Sequence, residues 1–164
     1  MTTTAGRSRR RAGPVVQVLY FLNFMPELPV YFHIQPGATL PNIGYLAPFR
    51  AVVIIEEEVS IEWRDDVSNW LVNSGCLYMM AWGLDCTLWD DSVDWANMGQ
   101  FPFKDIPEDR FVVTTWHDSE PLDEVFDFCK RTATHPIVEL PQAILLHIAR
   151  NESAGPMLHA YSRA

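Results

Sequence analysis

The chain has 164 residues, the length of one ordinary domain. Hydrophobic residues make up 48% of it and aromatic ones 12%, enough to bury a core without staples, which excludes disorder over the main body. The formal net charge is -9, from 12 Lys+Arg against 21 Asp+Glu. Four of those arginines, Arg7, Arg9, Arg10 and Arg11, lie at the N-terminus, leaving 8 basic residues against 21 acidic ones elsewhere. A body that acidic repels phosphate backbones, so nucleic acid is an expected partner only for the Arg-rich tail.

Cys76, Cys86 and Cys129 are too few and too scattered for a disulfide framework and suit a reducing compartment. No run approaches the roughly 18 apolar residues of a membrane span. Pro14 and Gln17 interrupt any signal-peptide pattern. A cytoplasmic protein without a membrane segment is expected.

Residues 1–13, MTTTAGRSRRRAG, read as a disordered basic tail. A single domain is expected over residues 14–150. Val15 to Asn23 reads as a strand rich in β-branched and aromatic residues. Pro26, Pro29, Pro36, Pro41 and Pro48 forbid a long helix over residues 24–48. A short strand over Val30 to Ile34 and one helical turn near Asn42 to Ala47 fit between them. Ala51 to Ile55 is uninterruptedly apolar, as in a buried parallel strand. Val59, Trp63, Val67, Trp70 and Leu71 then recur at helical spacing, with Ser60 as cap and Gly75 as stop. Trp63 and Trp70 share that helix face and read as core.

Cys76 to Trp82 is the next strand, completing a βαβ unit. The acidic, aromatic stretch after it predicts a helix from Trp89 to Met98. Phe111 to Thr115 reads as a strand. Ser119-Glu120-Pro121 opens a helix carrying Leu122, Val125, Phe126 and Cys129 as its apolar stripe, with Lys130 and Arg131 near its negative end. Ala143 to Ala149 is the last strand, and residues 151–164 read as a loose C-terminal tail. The alternation predicts a three-layer α-β-α sandwich of α/β class. Its mainly parallel sheet would have four to five strands and be Rossmann-like without a nucleotide motif. An α+β fold is the alternative, with Val15–Asn23 or Ala143–Ala149 paired antiparallel at an edge.

Three apolar runs end in polar clusters: Glu56-Glu57-Glu58, Trp82-Gly83-Leu84-Asp85 and Trp116-His117-Asp118. As parallel strands they share a carboxyl edge, where such sheets place ligands. His117 there either transfers protons beside a carboxylate, Asp85 or Glu57, or bonds within its own loop. Glu57 is preferred to its two neighbours on count alone. Trp82, Trp89, Trp95 and Trp116 could wall an aromatic pocket or a partner patch rimmed by Asp. The expected ligand or partner-binding set is Trp82, Asp85, Trp89, Asp90, Trp116, His117 and Asp118. Asp85, Asp90 and Asp94 are candidates for a hard cation, against a solvated acidic face. Cys129 reads as core, and a carboxylate beside Cys86 raises its thiol pKa. No GxGxxG, Walker loop, HExxH or nucleophile elbow occurs, so no cofactor is expected.

The phrases SGCLYMMAWG, WDDSVDWAN and FVVTTWHDSEPLDEVFDFCK resemble a small bacterial α/β domain family of unknown function. The resemblance spans Phe49 to Ile148. It implies a bacterial cytosolic protein and carries no transferable activity. The favoured reading is a non-catalytic binding or accessory protein that engages a protein partner or small ligand through an acidic, Trp-rich edge. The alternatives are a small hydrolase-like enzyme using His117, and a self-associating structural subunit.

Overall fold

A strand with apolar side chains on both faces needs cover on both sides, and the run ending at Ile55 receives it. The structure is a computed structural model that describes residues 28–164. The basic tail over residues 1–13 and the strand expected over Val15–Asn23 lie outside the described residues. Among the described residues, the strands are β1 (Val30–Ile34), β2 (Phe49–Ile55), β3 (Cys76–Gly83), β4 (Val113–His117) and β5 (Gln142–Ile148). The helices are α1 (Ile61–Asn73), α2 (Cys86–Gly99), α3 (Leu122–Arg131) and α4 (Ala154–Arg163). A short 3-10 turn, Gly44–Leu46, falls within the turn expected over residues 42–47.

The sheet order is β1-β5-β2-β3-β4, and every ladder is parallel. Helices α1 and α2 cover one face, around Ala51, Val53, Ile55 and Met79. Helices α3 and α4 cover the other, around Val52, Ile54, Met80 and Leu145. The result is a three-layer α/β/α sandwich of Rossmann-like architecture. β5 is not an antiparallel edge: it is parallel and lies between β1 and β2. After β4 the chain returns through α3 on the opposite face and enters the middle of the sheet. Consequently β2 leads to a helix on one face and its neighbour β5 to a helix on the other. That divergence opens a crevice at the carboxyl edge.

Local chemistry explains the element boundaries. Ser60 Oγ accepts the Trp63 N–H at 3.2 Å, capping α1 where the sequence placed its start. Trp63 and Trp70 are half-buried against the core, and their indole N–H groups donate to Ala38 O and Pro41 O. β4 begins two residues later than expected. Asn97 Oδ1 takes the Val112 N–H at 2.9 Å, and His135 Nε2 donates to Phe111 O at 2.9 Å. The backbone before Val113 is thus bound by side chains rather than by the ladder.

Residues 154–163, expected as part of a loose tail, form α4 instead. Tyr161 is buried against Phe126, with ring centroids 5.4 Å apart. Lys130 Nζ donates to Tyr161 O at 3.0 Å and to Ala164 O. Pro156 sits in the first turn of α4, where a missing N–H costs nothing. It therefore does not break the helix.

Candidate functional site

The carboxyl ends of the strands carry a row of side chains that register alone creates. His33 pairs with His147, His147 with Ile54, Ile54 with Trp82, and Trp82 with His117. Each is the last or last-but-one residue of its strand. Together they cross all five strands on the α3/α4 face. His117 packs edge-on against Phe128 of α3 at 5.1 Å, and the rings of His33 and His147 lie 6.0 Å apart.

A cleft of about 690 Å³ opens over the β2–β3–β4 part of this row. Glu56, Trp82, Gly83, His117, Asp118 and Glu120 line it. Among the described residues, no Lys or Arg does so. Gly83 shapes the floor. Its φ of +102° suits glycine, and a Cβ there would stand 2.2 Å from Ile55 O. The adjacent Leu84 N–H donates to the same carbonyl at 3.0 Å. The Trp82 indole N–H donates to Glu120 O at 2.8 Å, tying the β4–α3 loop down beside the cleft.

His117 is 7% exposed. Its Nδ1 lies 3.6 Å from Glu120 Oε1 and its Nε2 3.1 Å from Thr115 Oγ1. Its carboxylate neighbour is therefore Glu120, three residues on, and not Asp85 or Glu57. Glu56, rather than the expected Glu57, points into the row. Glu56 Oε2 comes within 3.2 Å of His147 Nε2, whereas Glu57 Oε1 faces Arg150 Nε at 3.7 Å.

His147 is 1% exposed, deeper than His117. Tyr31 Oη accepts the Ser153 N–H at 3.0 Å, so its own proton is free to be donated to His147 Nδ1 at 2.7 Å. With the Tyr31 proton given to Nδ1, the ring turns an Nε2–H toward Glu56. The Nε2 approach to Glu56 is close but lacks hydrogen-bond alignment, leaving the N–H without a well-directed acceptor. Burial pushes the Tyr31 phenol up. The Ser153 N–H opposes that shift, and Glu152 and Glu56 add to it. His33 Nε2 donates to Ala149 O at 2.8 Å.

The rest of the expected set divides. Trp116 is 51% exposed and, adjacent to His117 on a strand, points to the opposite face. Trp89 cannot meet a ligand: it is 1% exposed and packs in the core with Val93 and Ala96. Asp85 is exposed at the start of α2 with φ +52°, caps nothing with its side chain and does not line the cleft.

Asp90 and Asp94 sit by Thr114 on the α2 side of β4, away from the cleft. Thr114 Oγ1 donates to Asp94 at 2.9 Å, while Asp90 Oδ1 is buried without a partner. A hydroxyl has one proton to give. Burial pushes both carboxyls up, with the Thr114 hydroxyl opposing. Asp94 and Asp91 raise Asp90 further, and Asp91 raises Asp94. Asp85, Asp90 and Asp94 do not assemble as ligands. Among the described residues, no group of three or more His, Cys, Asp or Glu is placed to hold a metal ion.

Cys76, Cys86 and Cys129 are buried and unpaired. Burial pushes Cys76 up to about 12 and also raises Cys86, to which Asp118 rather than Asp85 adds. None is an activated nucleophile.

Sequence reasoning missed His33, His147, Tyr31 and Glu56. The signal was present, since His33 and His147 are the lone polar residues within their apolar runs, each next to the strand's last residue. A family model described as "Domain of unknown function (DUF7684)" matches residues 30–164, from β1 through α4. The chain belongs to this family. The DUF7684 match takes in β1 through β5 and the histidine row they carry, so the row lies within the family domain. Comparison with curated proteins and with solved structures gave no match. No helix among the described residues is long and apolar enough to cross a membrane.

Proposed function

We propose that this chain is a non-catalytic binding protein whose carboxyl-edge cleft receives a positively charged group. The observation that carries the reading is the lining: Glu56, Asp118 and Glu120 surround the half-buried Trp82, with no basic residue among them. An indole beside carboxylates suits an ammonium or guanidinium, which gains both ion pairing and a π face. His117 supports binding over turnover, because Glu120 and Thr115 engage its two nitrogens. The buried, unpaired cysteines support placement in the cytosol.

Calorimetric titration of the full chain with spermidine, and with glutarate as an anionic control, tests the reading. Spermidine should bind and glutarate should not. Glu56→Gln and Glu120→Gln should each weaken binding about tenfold, the loss of one charge-assisted contact. Equal heats from the two probes, or unchanged affinity in both variants, would refute it.

One observation favours the hydrolase-like alternative: Glu120 stands at Nδ1 of His117, as an orienting carboxylate does. That reading requires Nε2 to leave Thr115. It predicts ester hydrolysis that His117→Asn abolishes.

A further inference from the structure

Glu56 faces two ways. It lines the cleft, and its Oε2 stands 3.2 Å from Nε2 of the buried His147. In the neutral ring that N–H has no well-directed acceptor, so a buried donor waits beside an exposed carboxylate. The other nitrogen has a place for a second proton. Nδ1 accepts from the Tyr31 hydroxyl at 2.7 Å, and once protonated it can donate to the same oxygen, since a phenol does both. Tyr31 is half-buried, so its own proton can turn to water. Proton uptake at His147 therefore makes an imidazolium held between Tyr31 and Glu56, and it needs no movement of the backbone.

The other titratable groups around His147 are engaged elsewhere. The His33 ring of β1 lies 6.0 Å away, and its Nε2 is given to Ala149 O. Arg150, after β5, faces Glu57 at 3.7 Å. Glu152, before α4, faces Tyr31, and its Oε1 accepts the Ala154 N–H. Glu56 is thus the carboxylate that a charged His147 would hold. We propose that His147 gates the cleft by protonation. As a cation it draws Glu56 to itself and repels a positively charged ligand, and as a neutral ring it leaves Glu56 to that ligand. The proposal rests on the cationic-ligand reading of the cleft. By linkage, a bound cation must in turn expel the proton from His147. His117, 3.6 Å from Glu120, acts in the same direction from within the cleft, so the test has to read His147 itself.

Calorimetry of the full chain with spermidine at about pH 7.5 and about pH 5.5 spans the imidazole range while the amines of the probe stay charged. Affinity should fall about tenfold or more at the lower pH. Nuclear magnetic resonance of the assigned imidazoles, followed against pH, reads His147 in the unaltered chain. By reciprocity, a tenfold coupling means that saturating spermidine lowers the titration midpoint of His147 by about one pH unit. His135, bonded to Phe111 O ahead of β4, should not move. Three results would overturn the inference. Equal affinity at both pH values would remove the gate and leave the cleft reading standing. A fall in affinity with the His147 midpoint unmoved would assign the effect to another group. No binding at the higher pH would end the cleft reading and the gate with it.

Discussion

Gly83→Ala is the sharpest test of how the sheet builds the cleft. The added methyl would stand 2.2 Å from Ile55 O, far inside contact distance, and the obstacle is backbone. Moving that carbonyl disturbs the Leu84 N–H bond to it and the Ile55–Gly83 register that ends the β2–β3 ladder. Holding a non-glycine residue at φ +102° adds strain. Strain of about 1–2 kcal/mol and a clash of about 2 kcal/mol together destabilise by roughly 3–4 kcal/mol. Gly37 separates the two causes. Its φ is +79°, but a Cβ there meets nothing within 4 Å. Gly37→Ala should therefore carry the strain alone, about 1–2 kcal/mol. Thermal unfolding followed by circular dichroism should place the two variants about 4–8 °C apart, Gly83→Ala the lower, at roughly 2–4 °C per kcal/mol for a domain of this size. Equal melting temperatures would refute the argument that the close approach of β2 to the Gly83 turn is what demands glycine.

Trp89→Ala should cost about 3–5 kcal/mol as a core truncation, whereas Trp116→Ala should stay within about 0.5 kcal/mol; urea unfolding of both checks the separation of the two indoles. Asp90→Asn should stabilise the protein increasingly as pH rises. The folded carboxyl titrates above its ordinary value, so the cost of ionising it is absent at pH below the ordinary carboxylate value and complete above the raised one. The relieved repulsion with Asp94 alone is worth about 0.2–0.5 kcal/mol, and a pH-independent difference between variant and wild type would sink this reading of Asp90.

Period and composition alone yielded the layers. The apolar run to Ile55, the three- and four-residue spacing from Val59 to Leu71, and the run from Cys76 to Trp82 are local patterns. Ser60 at the head of α1 is chemistry within one turn. Nothing distant can change these, so they were legible. The stripe Trp89, Val93, Ala96 was legible in the same way. Placing Trp89 at a binding edge ignored what that stripe already said, namely that this indole faces the core.

The site is where local reasoning stopped. Glu56 and Glu57 follow the last residue of β2, Glu57 in a bend, so the way the chain leaves the strand separates two carboxylates that the sequence offers as equals. Glu56 reaches His147 and the cleft, and Glu57 reaches Arg150. Likewise His33, His147 and His117 lie far apart in the chain. They form one row only because α3 crosses to the other face and inserts β5 between β1 and β2. Strand order is a property of crossovers and packing, which no window of sequence contains. The sequence by itself determined which segments become strands and helices, through the period of their apolar residues. The tertiary structure decided which polar ends meet, because register and strand order are set by the core as a whole.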